Sequence, residues 1–323
     1  MKKIFAFLIL CIVMDSCYSG YLKNFDHSDV YFPYKIDVRT FVVGEGMKIE
    51  IGAALGGVIN NTKDLNVDFT IDNSLITPEI LTTMQTGGLS YVVSSVAGLS
   101  SISPIPANYF TLSNSSRIVI KAGQHMGSVV VKADSSAFLA DATTKNAAYA
   151  LALRIISTDA DQILDSMKTT VIGLKYENML FGTYLHGGIT VQKNPSGVVI
   201  DTTRYYTTIN QVESNTWTLN TIAPNALAVN GYSANPSAKN EMVLTLNGTD
   251  IAVSRATGST FAFQPDKAST FNRSKLLQNR KIYLSYKYVN AAGNTCYATD
   301  TLTFRNRIRD GVNEWQDENP SHY

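Results

Sequence analysis

Apolar and polar side chains alternate with a period of two through much of the segment 281–315. A period of two places one set of side chains on a buried face of a strand and the other set towards water. A short polar stretch at 290–294, which contains Gly293, separates two runs rich in Tyr, Val and Thr. Because so short a loop cannot make a parallel crossover, the segment predicts an antiparallel β-hairpin.

A similar alternation, interrupted by turn residues, recurs from residue 26 to residue 176. Strands are predicted at 34–43, 47–53, 65–71, 91–96, 109–112, 117–121, 128–132, 149–157 and 169–175. A short helix is predicted over 77–85, with Thr77 as its cap and Pro78 at its first position. Many short strands without alternating helices are typical of an antiparallel sandwich, so we expect residues 26–176 to form an immunoglobulin-like domain.

A second set of strand-like segments lies between residues 177 and 309. These segments are 188–192, 197–201, 205–212, 216–220, 241–246, 250–255 and 260–264, followed by the hairpin described above. They predict a second antiparallel β-sandwich or a partly open barrel, which makes the chain an all-β protein. The stretch 221–240 is predicted to be a long connection, and 310–323 a loose tail that Trp315 docks.

The first residues of the chain are typical of an export signal. Two lysines precede an apolar run at 4–14 that is too short to span a bilayer. Ser16-Cys17 follows this run and resembles a bacterial lipobox. We therefore expect residues 1–17 to be a lipoprotein signal peptide, Cys17 to be the lipid attachment site and residues 18–25 to be a tether. An ordinary signal peptide with an incidental cysteine is the alternative.

Composition narrows the classes of function. Apolar residues make up 45% of the chain and charged residues only 16%, a balance common in exported β proteins. The formal net charge of +1 gives no electrostatic reason to expect nucleic acid as a partner. Cleavage would remove Cys11 and acylation would consume Cys17, so Cys296 could form no intrachain disulfide. The lipid would then be the only attachment to a membrane.

Several segments together resemble a known family. They are Ser16-Cys17, Val30-Tyr31-Phe32, 68–76 (DFTIDNSLI), 149–156 (YALALRII) and 300–315 (DTLTFRNRIRDGVNEW). In these segments the chain resembles two-domain surface lipoproteins of Bacteroidetes that are encoded beside starch-utilisation-type outer-membrane glycan importers. The resemblance covers nearly the whole chain and implies an immunoglobulin-like domain, a second β domain and glycan binding at the cell surface. It carries no catalytic residue over to this sequence.

Residue types that carry out chemistry are sparse and poorly spaced. None of the four histidines has a metal-ligand spacing with a cysteine or with another histidine. Asp159, Asp161 and Asp165 lack the glycine and the terminal glutamate of a calcium loop. The sequence contains no phosphate-cradling glycine loop and no nucleophile elbow. We therefore expect no enzymatic activity, no bound metal and no cofactor.

Two sets of side chains are candidates for contact with a ligand. Arg305, Arg307 and Arg309 alternate, so they are predicted to face one side of a strand. There they would pair with nearby acids such as Asp310, protect a sheet edge, or grip an acidic glycan. Three aromatic residues are candidates for exposure and for stacking against a sugar, with docking or core packing as the alternative. They are Trp217, Tyr232 and Trp315.

These observations predict a non-catalytic, lipid-anchored glycan-binding protein of the outer membrane. Its expected partners are a polysaccharide or oligosaccharide and an outer-membrane glycan importer complex. The alternative is a structural or adhesive surface lipoprotein with protein partners, which an edge strand offered to another chain would favour. No acidic run follows Cys17 directly. The periplasmic face of the outer membrane is therefore an alternative to the cell surface.

Overall fold

The computed structural model describes residues 25–205 and 215–317. Strands dominate both parts of this range, and the helices within it are short. The predicted all-β fold with two domains is confirmed.

The N-terminal domain is a sandwich of two sheets. Its strands are β1 (Asp29–Tyr31), β2 (Ile36–Val43), β3 (Lys48–Gly56), β4 (Leu65–Ile71), β5 (Ser103–Pro104), β6 (Phe110–Leu112), β7 (Arg117–Ile120), β8 (Met126–Ala133), β9 (Tyr149–Thr158), β10 (Gln162–Ile163) and β11 (Thr169–Asn178). One sheet has the order β10-β1-β3-β8-β6, and the other has the order β2-β11-β9-β4-β7 with β5 beside β9. Most neighbours are antiparallel, whereas β1–β10, β2–β11 and β5–β9 are parallel pairs.

Alternation along the strands fills the space between these two sheets. In β4, the side chains of Leu65, Val67 and Phe69 are buried, while Asn66 and Asp68 between them are partly exposed. Buried residues of β3, β7, β8 and β9 join them in one apolar cluster. The period-two pattern of the sequence therefore identifies the core face of this domain.

Three α-helices lie in the N-terminal domain: α1 (Pro78–Gly87), α2 (Ser90–Val96) and α3 (Ser135–Ala140). The predicted helix is α1, and the Thr77 hydroxyl caps it by accepting a hydrogen bond from the Ile80 N–H at 3.3 Å. The prediction of a strand at 91–96 is wrong, because this segment forms α2. Val92 and Val96 are four residues apart, a spacing that fits one face of a helix as well as one face of a strand.

Short 3-10 helices complete the helical structure in the described range. They are Asn73–Leu75, Ala107–Tyr109, Ala142–Lys145, Asp165–Met167 and Leu277–Asn279.

The second domain is a barrel. Its strands are β12 (Gly182–Lys193), β13 (Val199–Tyr205), β14 (Thr216–Ala223), β15 (Ala226–Val229), β16 (Gly231–Tyr232), β17 (Asn235–Pro236), β18 (Met242–Asn247), β19 (Asp250–Arg255), β20 (Gln264–Pro265), β21 (Ser269–Phe271), β22 (Lys281–Val289), β23 (Thr295–Arg309) and β24 (Val312–Glu314). Pairing runs through β12-β14-β15-β18-β19-β21-β22-β23 and returns to β12. Its narrowest joints are the two that β21 makes, with β19 and with β22, and each consists of two residue pairs.

The predicted hairpin is the pair β22–β23, in register from Lys281↔Thr303 to Val289↔Thr295. Other predictions for this domain need correction. The supposed connection 221–240 contains β15, whose four residues are all buried, as expected of a continuous apolar run rather than an alternating one. Strand β21 was not predicted, and most of the strand predicted at 205–212 lies outside the described residues.

The C-terminal segment is not a loose tail as far as residue 317. Strands β23 and β24 form a tight hairpin around Asp310 and Gly311, which have φ angles of 51° and 78°. A two-residue hairpin turn with positive φ at both positions strongly favours the dipeptide Asp-Gly. The dipeptide Asp310-Gly311 is visible in the sequence and is the signal from which the hairpin could have been predicted.

Candidate functional site

A groove runs along the N-terminal domain to its junction with the barrel. It consists of two adjoining cavities, a tyrosine cavity of ≈ 620 Å³ and an interdomain cavity of ≈ 460 Å³. Arg39 and Glu50 line both cavities, so the two meet at these side chains. Each volume lies in the range of sites for small ligands, roughly 300 to 1,000 Å³.

The tyrosine cavity is lined by both sandwich sheets, through β1, β3 and β8 of one sheet and β2 and β11 of the other. Tyr31 ends β1, and Tyr34 follows Pro33 in the link to β2, where it is 46% exposed. Gly56 leaves room for the Tyr31 ring, because a Cβ at this position would lie 3.3 Å from the ring. Both rings line the cavity. This part of the groove therefore offers aromatic faces together with phenol hydroxyls.

A buried carboxylate fixes the arginine at the meeting point of the two cavities. Asp37 is only 2% exposed, and its side chain pairs with Arg39 Nε at 2.8 Å. It also accepts a hydrogen bond from the Tyr91 hydroxyl at 2.5 Å. Burial and this bond to Asp37 raise the pKa of Tyr91 well above its ordinary value, so the phenol stays a donor. Arg39 is thus held in one orientation.

The inner wall of the interdomain cavity is a buried ion-pair network that joins the two domains. Glu45, in the turn between β2 and β3, accepts two parallel hydrogen bonds from Arg307 of the barrel, at 2.8 and 2.9 Å. Arg280 approaches the same carboxylate at 2.6 Å. Glu314 in β24 then pairs with Arg307 and Arg309. Burial would raise the pKa of Glu45, but the hydrogen bonds and charges of Arg307 and Arg280 hold it below its ordinary value.

The β23–β24 hairpin makes a second joint between the domains. The Asp310 carboxylate accepts hydrogen bonds from the hydroxyl and the backbone N–H of Thr40, at 2.7 and 3.2 Å. Burial raises the pKa of Asp310, although the bonds from Thr40 oppose this. The neighbouring Gly311 lies against Tyr91, where a Cβ would come within 2.6 Å of the ring. The hairpin therefore fixes one wall of the groove to the N-terminal domain.

Among the predicted aromatic residues, Trp217 is buried rather than exposed. It is 0% exposed, because it shares the inward face of β14 with Leu219, while Thr218 between them faces the other way. Its indole stacks on the His186 ring with centroids 3.8 Å apart. Of the two alternatives for Trp217, the structure therefore shows core packing, and this residue offers no free ring face to a ligand.

Tyr232 and Trp315 differ in their surroundings. Tyr232 is half-buried, and its ring packs against Phe261, Phe263 and Tyr288 with each pair of centroids 5.5 Å apart. It lies away from the lining of the groove. Trp315 is 57% exposed and stands between Glu314 and Gln316, which line the interdomain cavity. The structure therefore places Trp315, and neither of the other two candidates, beside the groove.

A buried polar cluster lies inside the barrel and includes His186, the ring on which Trp217 stacks. Asp300 accepts hydrogen bonds from the Tyr205 and Tyr286 hydroxyls, each at 2.6 Å. His186 Nε2 lies 3.4 Å from the same carboxylate. Burial and the nearby Asp300 raise the pKa of both tyrosines well above the ordinary value. The hydroxyls therefore stay protonated donors, and the cluster is an interior network of the barrel.

The three arginines of β23 do not share one face. The register of β12 and β23 shifts where Tyr184 pairs with Phe304 and Thr183 pairs with Asn306. The extra residue, Arg305, forms a bulge that reverses the alternation. Arg305 is consequently exposed and Arg307 buried. The expected pairing with nearby acids is confirmed for Arg307 and Arg309, but their partner in β24 is Glu314 rather than Asp310.

Several residues of the groove were not predicted from the sequence. Tyr31, Tyr34, Asp37 and Arg39 lie in or beside the first two strands, and nothing in their local pattern connects them to the C-terminal hairpin. The predicted lipid attachment site, Cys17, lies outside the described residues. Within the ranges 25–205 and 215–317, no His, Cys, Asp and Glu residues are grouped so as to hold a metal ion. In the same ranges no helix is long and apolar enough to cross a membrane.

Other proteins are similar to this chain in sequence or in fold. A family model described as an N-terminal domain matches residues 23–162. A crystal structure of a protein of unknown function from Bacteroides ovatus is similar over 91% of this chain and 99% of its own, with a TM-score of 0.61 and 21% identity. A second Bacteroides ovatus structure of unknown function matches 90% of this chain and 100% of its own, with a TM-score of 0.40 and 11% identity.

No curated protein matches the chain. The first Bacteroides ovatus structure shows that the two-domain fold occurs elsewhere, since the match spans nearly all of both chains. The second match is too distant to carry an argument. The chain is thus similar to a known N-terminal domain over residues 23–162 and to the first Bacteroides ovatus structure in its fold.

Proposed function

We propose that this protein is a non-catalytic, lipid-anchored glycan-binding protein that assists polysaccharide capture and uptake at the outer membrane. The observation that carries the proposal is the groove, in which two cavities adjoin at Arg39 and Glu50. A sugar ring presents C–H bonds on its faces and hydroxyls around its rim. A protein binds it by placing an aromatic face under the C–H bonds and polar groups at the edge.

The groove offers both kinds of group. Tyr31 and Tyr34 supply aromatic faces at one end. The junction supplies a guanidinium donor from Arg39 and carboxylate acceptors from Glu50. Since each cavity alone has the volume of a small-ligand site, the two in series suit a chain of sugars better than a single ring. The glycan would therefore lie along the groove, with Trp315 at its rim.

A binding role fits the state of the acids in the groove. A glycosidase needs a pair of carboxyl groups at a fixed separation, one acting as general acid and the other as base or nucleophile. Here the Asp37 carboxylate is engaged by Arg39 and Tyr91, and Glu314 is engaged by Arg307 and Arg309. These ion pairs and the hydrogen bond hold both carboxylates on the wall of the groove, so neither is free to approach a glycosidic bond as general acid or base. We therefore expect bound glycans to be recovered uncleaved.

The test is a glycan-array screen of the purified protein, followed by calorimetry of Tyr34→Ala with the best glycan. Losing a stacking aromatic should cost on the order of 2 kcal/mol, or about thirtyfold in affinity. Tyr283→Ala is the matched control, because Tyr283 has a similar exposure of 42% but lies on the outer face of the barrel. Thermal melts should show both variants folded. Failure to bind any glycan would refute the function, and unaltered binding by Tyr34→Ala would move the site elsewhere.

One observation favours the alternative of a structural or adhesive protein with protein partners. Strand β13 ends the order of the barrel sheet within the described residues, and six of its seven residues are exposed. Val198, Val199 and Ile200 form a consecutive apolar run there, with exposures of 59%, 52% and 50%. An open strand of this kind can pair with a strand from another chain. Replacing Val199 and Ile200 by lysine should then abolish capture of a protein partner and leave glycan binding unaltered.

A further inference from the structure

The charges along the groove define which glycans it can accept, an inference that rests on the proposed function. Acidic glycans carry carboxylate or sulfate groups, and proteins usually grip these with guanidinium groups whose donors are free to turn towards the ligand. The charged residues that line the two cavities are the cations Arg39, Lys48 and Arg309 and the acids Asp37, Glu45, Glu50, Asp310, Glu314 and Asp317. Even with Arg280 and Arg307 behind Glu45, the groove has no surplus of positive charge.

The arginines that line the groove already have carboxylate partners. Arg39 pairs through Nε with Asp37 at 2.8 Å. Arg309 donates to Glu314 through Nε at 2.8 Å and through Nη2. A ligand carboxylate would have to compete with partners that the fold holds permanently in place. These guanidinium groups therefore fix the wall of the groove and do not act as anion receptors.

Lys48 is the lining cation without an ion pair among the described residues. It lies two residues before Glu50 on the outward face of β3, and both side chains are exposed. An anionic ligand group that approaches Lys48 would therefore also meet the Glu50 carboxylate, which repels it. The Ser128 hydroxyl donates one hydrogen bond to Glu50 at 2.7 Å, and a carboxylate has capacity for several more. Glu50 thus suits a sugar hydroxyl as its partner.

We infer that the groove selects neutral glycans and rejects chains that carry uronate or sulfate groups. Neutral sugars supply hydroxyls, which donate to the carboxylates and accept from the guanidinium N–H groups without adding charge. Their binding should vary little with ionic strength, because no ligand charge is neutralised. An acidic glycan of the same length should bind roughly tenfold or more weakly.

The test compares neutral glycans with acidic counterparts of equal length on one array, for example mannohexaose and hexamannuronate among other such pairs. Wild type is measured beside Glu50→Lys and Asp165→Lys, which make the same change in charge. Asp165 is the control because its side chain is 89% exposed and lies outside the groove. We expect wild type and Asp165→Lys to prefer the neutral member of each pair, and Glu50→Lys to gain binding of the acidic member.

Each result decides between the two claims. Equal or tighter binding of acidic glycans by wild type would overturn the inference while leaving glycan binding intact. So would an equal gain of acidic binding in Asp165→Lys and Glu50→Lys, since the effect would then come from overall charge. Binding to no glycan of either class would refute the proposed function itself, and the inference with it.

Discussion

The interdomain ion-pair network should make Glu45 one of the most sensitive positions in the molecule. The Glu45 carboxylate is 6% exposed and is contacted by the guanidinium groups of both Arg280 and Arg307. The variant Glu45→Gln keeps the shape of the side chain but leaves two buried cations without this counter-charge. Removing one partner of a buried ion pair costs about 3 to 5 kcal/mol, because the remaining charge stays desolvated. Whole domains are commonly stable by only about 5 to 15 kcal/mol.

The assay is thermal and urea unfolding followed by circular dichroism. For a protein of this size we expect Glu45→Gln to lower Tm by on the order of 5 to 15 °C. Asp165→Asn is the matched control, because it removes an exposed surface pair with Lys168 that should contribute less than about 1 kcal/mol. A loss below about 1 kcal/mol in Glu45→Gln would refute the view that this network holds the domains together.

The same network predicts a dependence on pH. The folded state holds the pKa of Glu45 below its ordinary value of 4.5. The stabilisation by its ionised form is therefore complete above this value and is lost as the pH falls through the lower folded pKa. Wild type should accordingly lose stability below about pH 4.5, and Glu45→Gln should lose less over the same interval. Parallel stability curves for the two proteins would contradict this assignment.

Three further predictions concern the barrel and the chain terminus. Trp217→Ala should destabilise the protein by about 3 to 5 kcal/mol in urea unfolding, whereas the exposed Trp315→Ala should stay within about 0.5 kcal/mol of wild type; equal effects would contradict the assigned burial. Gly231→Ala should cost about 1 to 3 kcal/mol, because its Cβ would lie 2.1 Å from the Trp217 Nε1 atom; a neutral result in the same assay would show that the indole can move. Cys17→Ala should abolish acylation, and mass spectrometry of a wild-type amino terminus without lipid would disprove the lipobox.

Local pattern was sufficient for much of the fold. The hairpin β22–β23 follows from alternation and a glycine-containing turn, both of which lie within one short segment. The segment of α2 has an ambiguous pattern, because Val92 and Val96 fit a helix face and a strand face equally well. Packing of both valines against Leu81, Met84 and Val38 decides for the helix.

The exposure of individual side chains and the position of the groove were harder to predict, because both depend on contacts between distant parts of the chain. Trp217 stands between two threonines in a typical alternating strand, and the pattern alone does not identify a closed ring of strands around it. The β-bulge at Arg305 similarly reverses the faces of a regular alternation through one unpaired residue. Asp310 lines the groove and Thr40 bonds to it from the N-terminal domain, yet the two residues are 270 positions apart in the sequence. Only the docking of the barrel on the sandwich brings these two residues together.

The position of the ion-pair network links the stability of this protein to its proposed binding. Glu45 lines the interdomain cavity, and its carboxylate also joins the two domains through ion pairs with Arg280 and Arg307. The wall of the groove is therefore set before a ligand arrives, and binding need not pay for ordering it. Weakening the network through Glu45→Gln should then lower stability and glycan affinity together. By contrast, Tyr34→Ala should lower affinity alone, because Tyr34 is half exposed at the far end of the groove and contributes nothing to the joint.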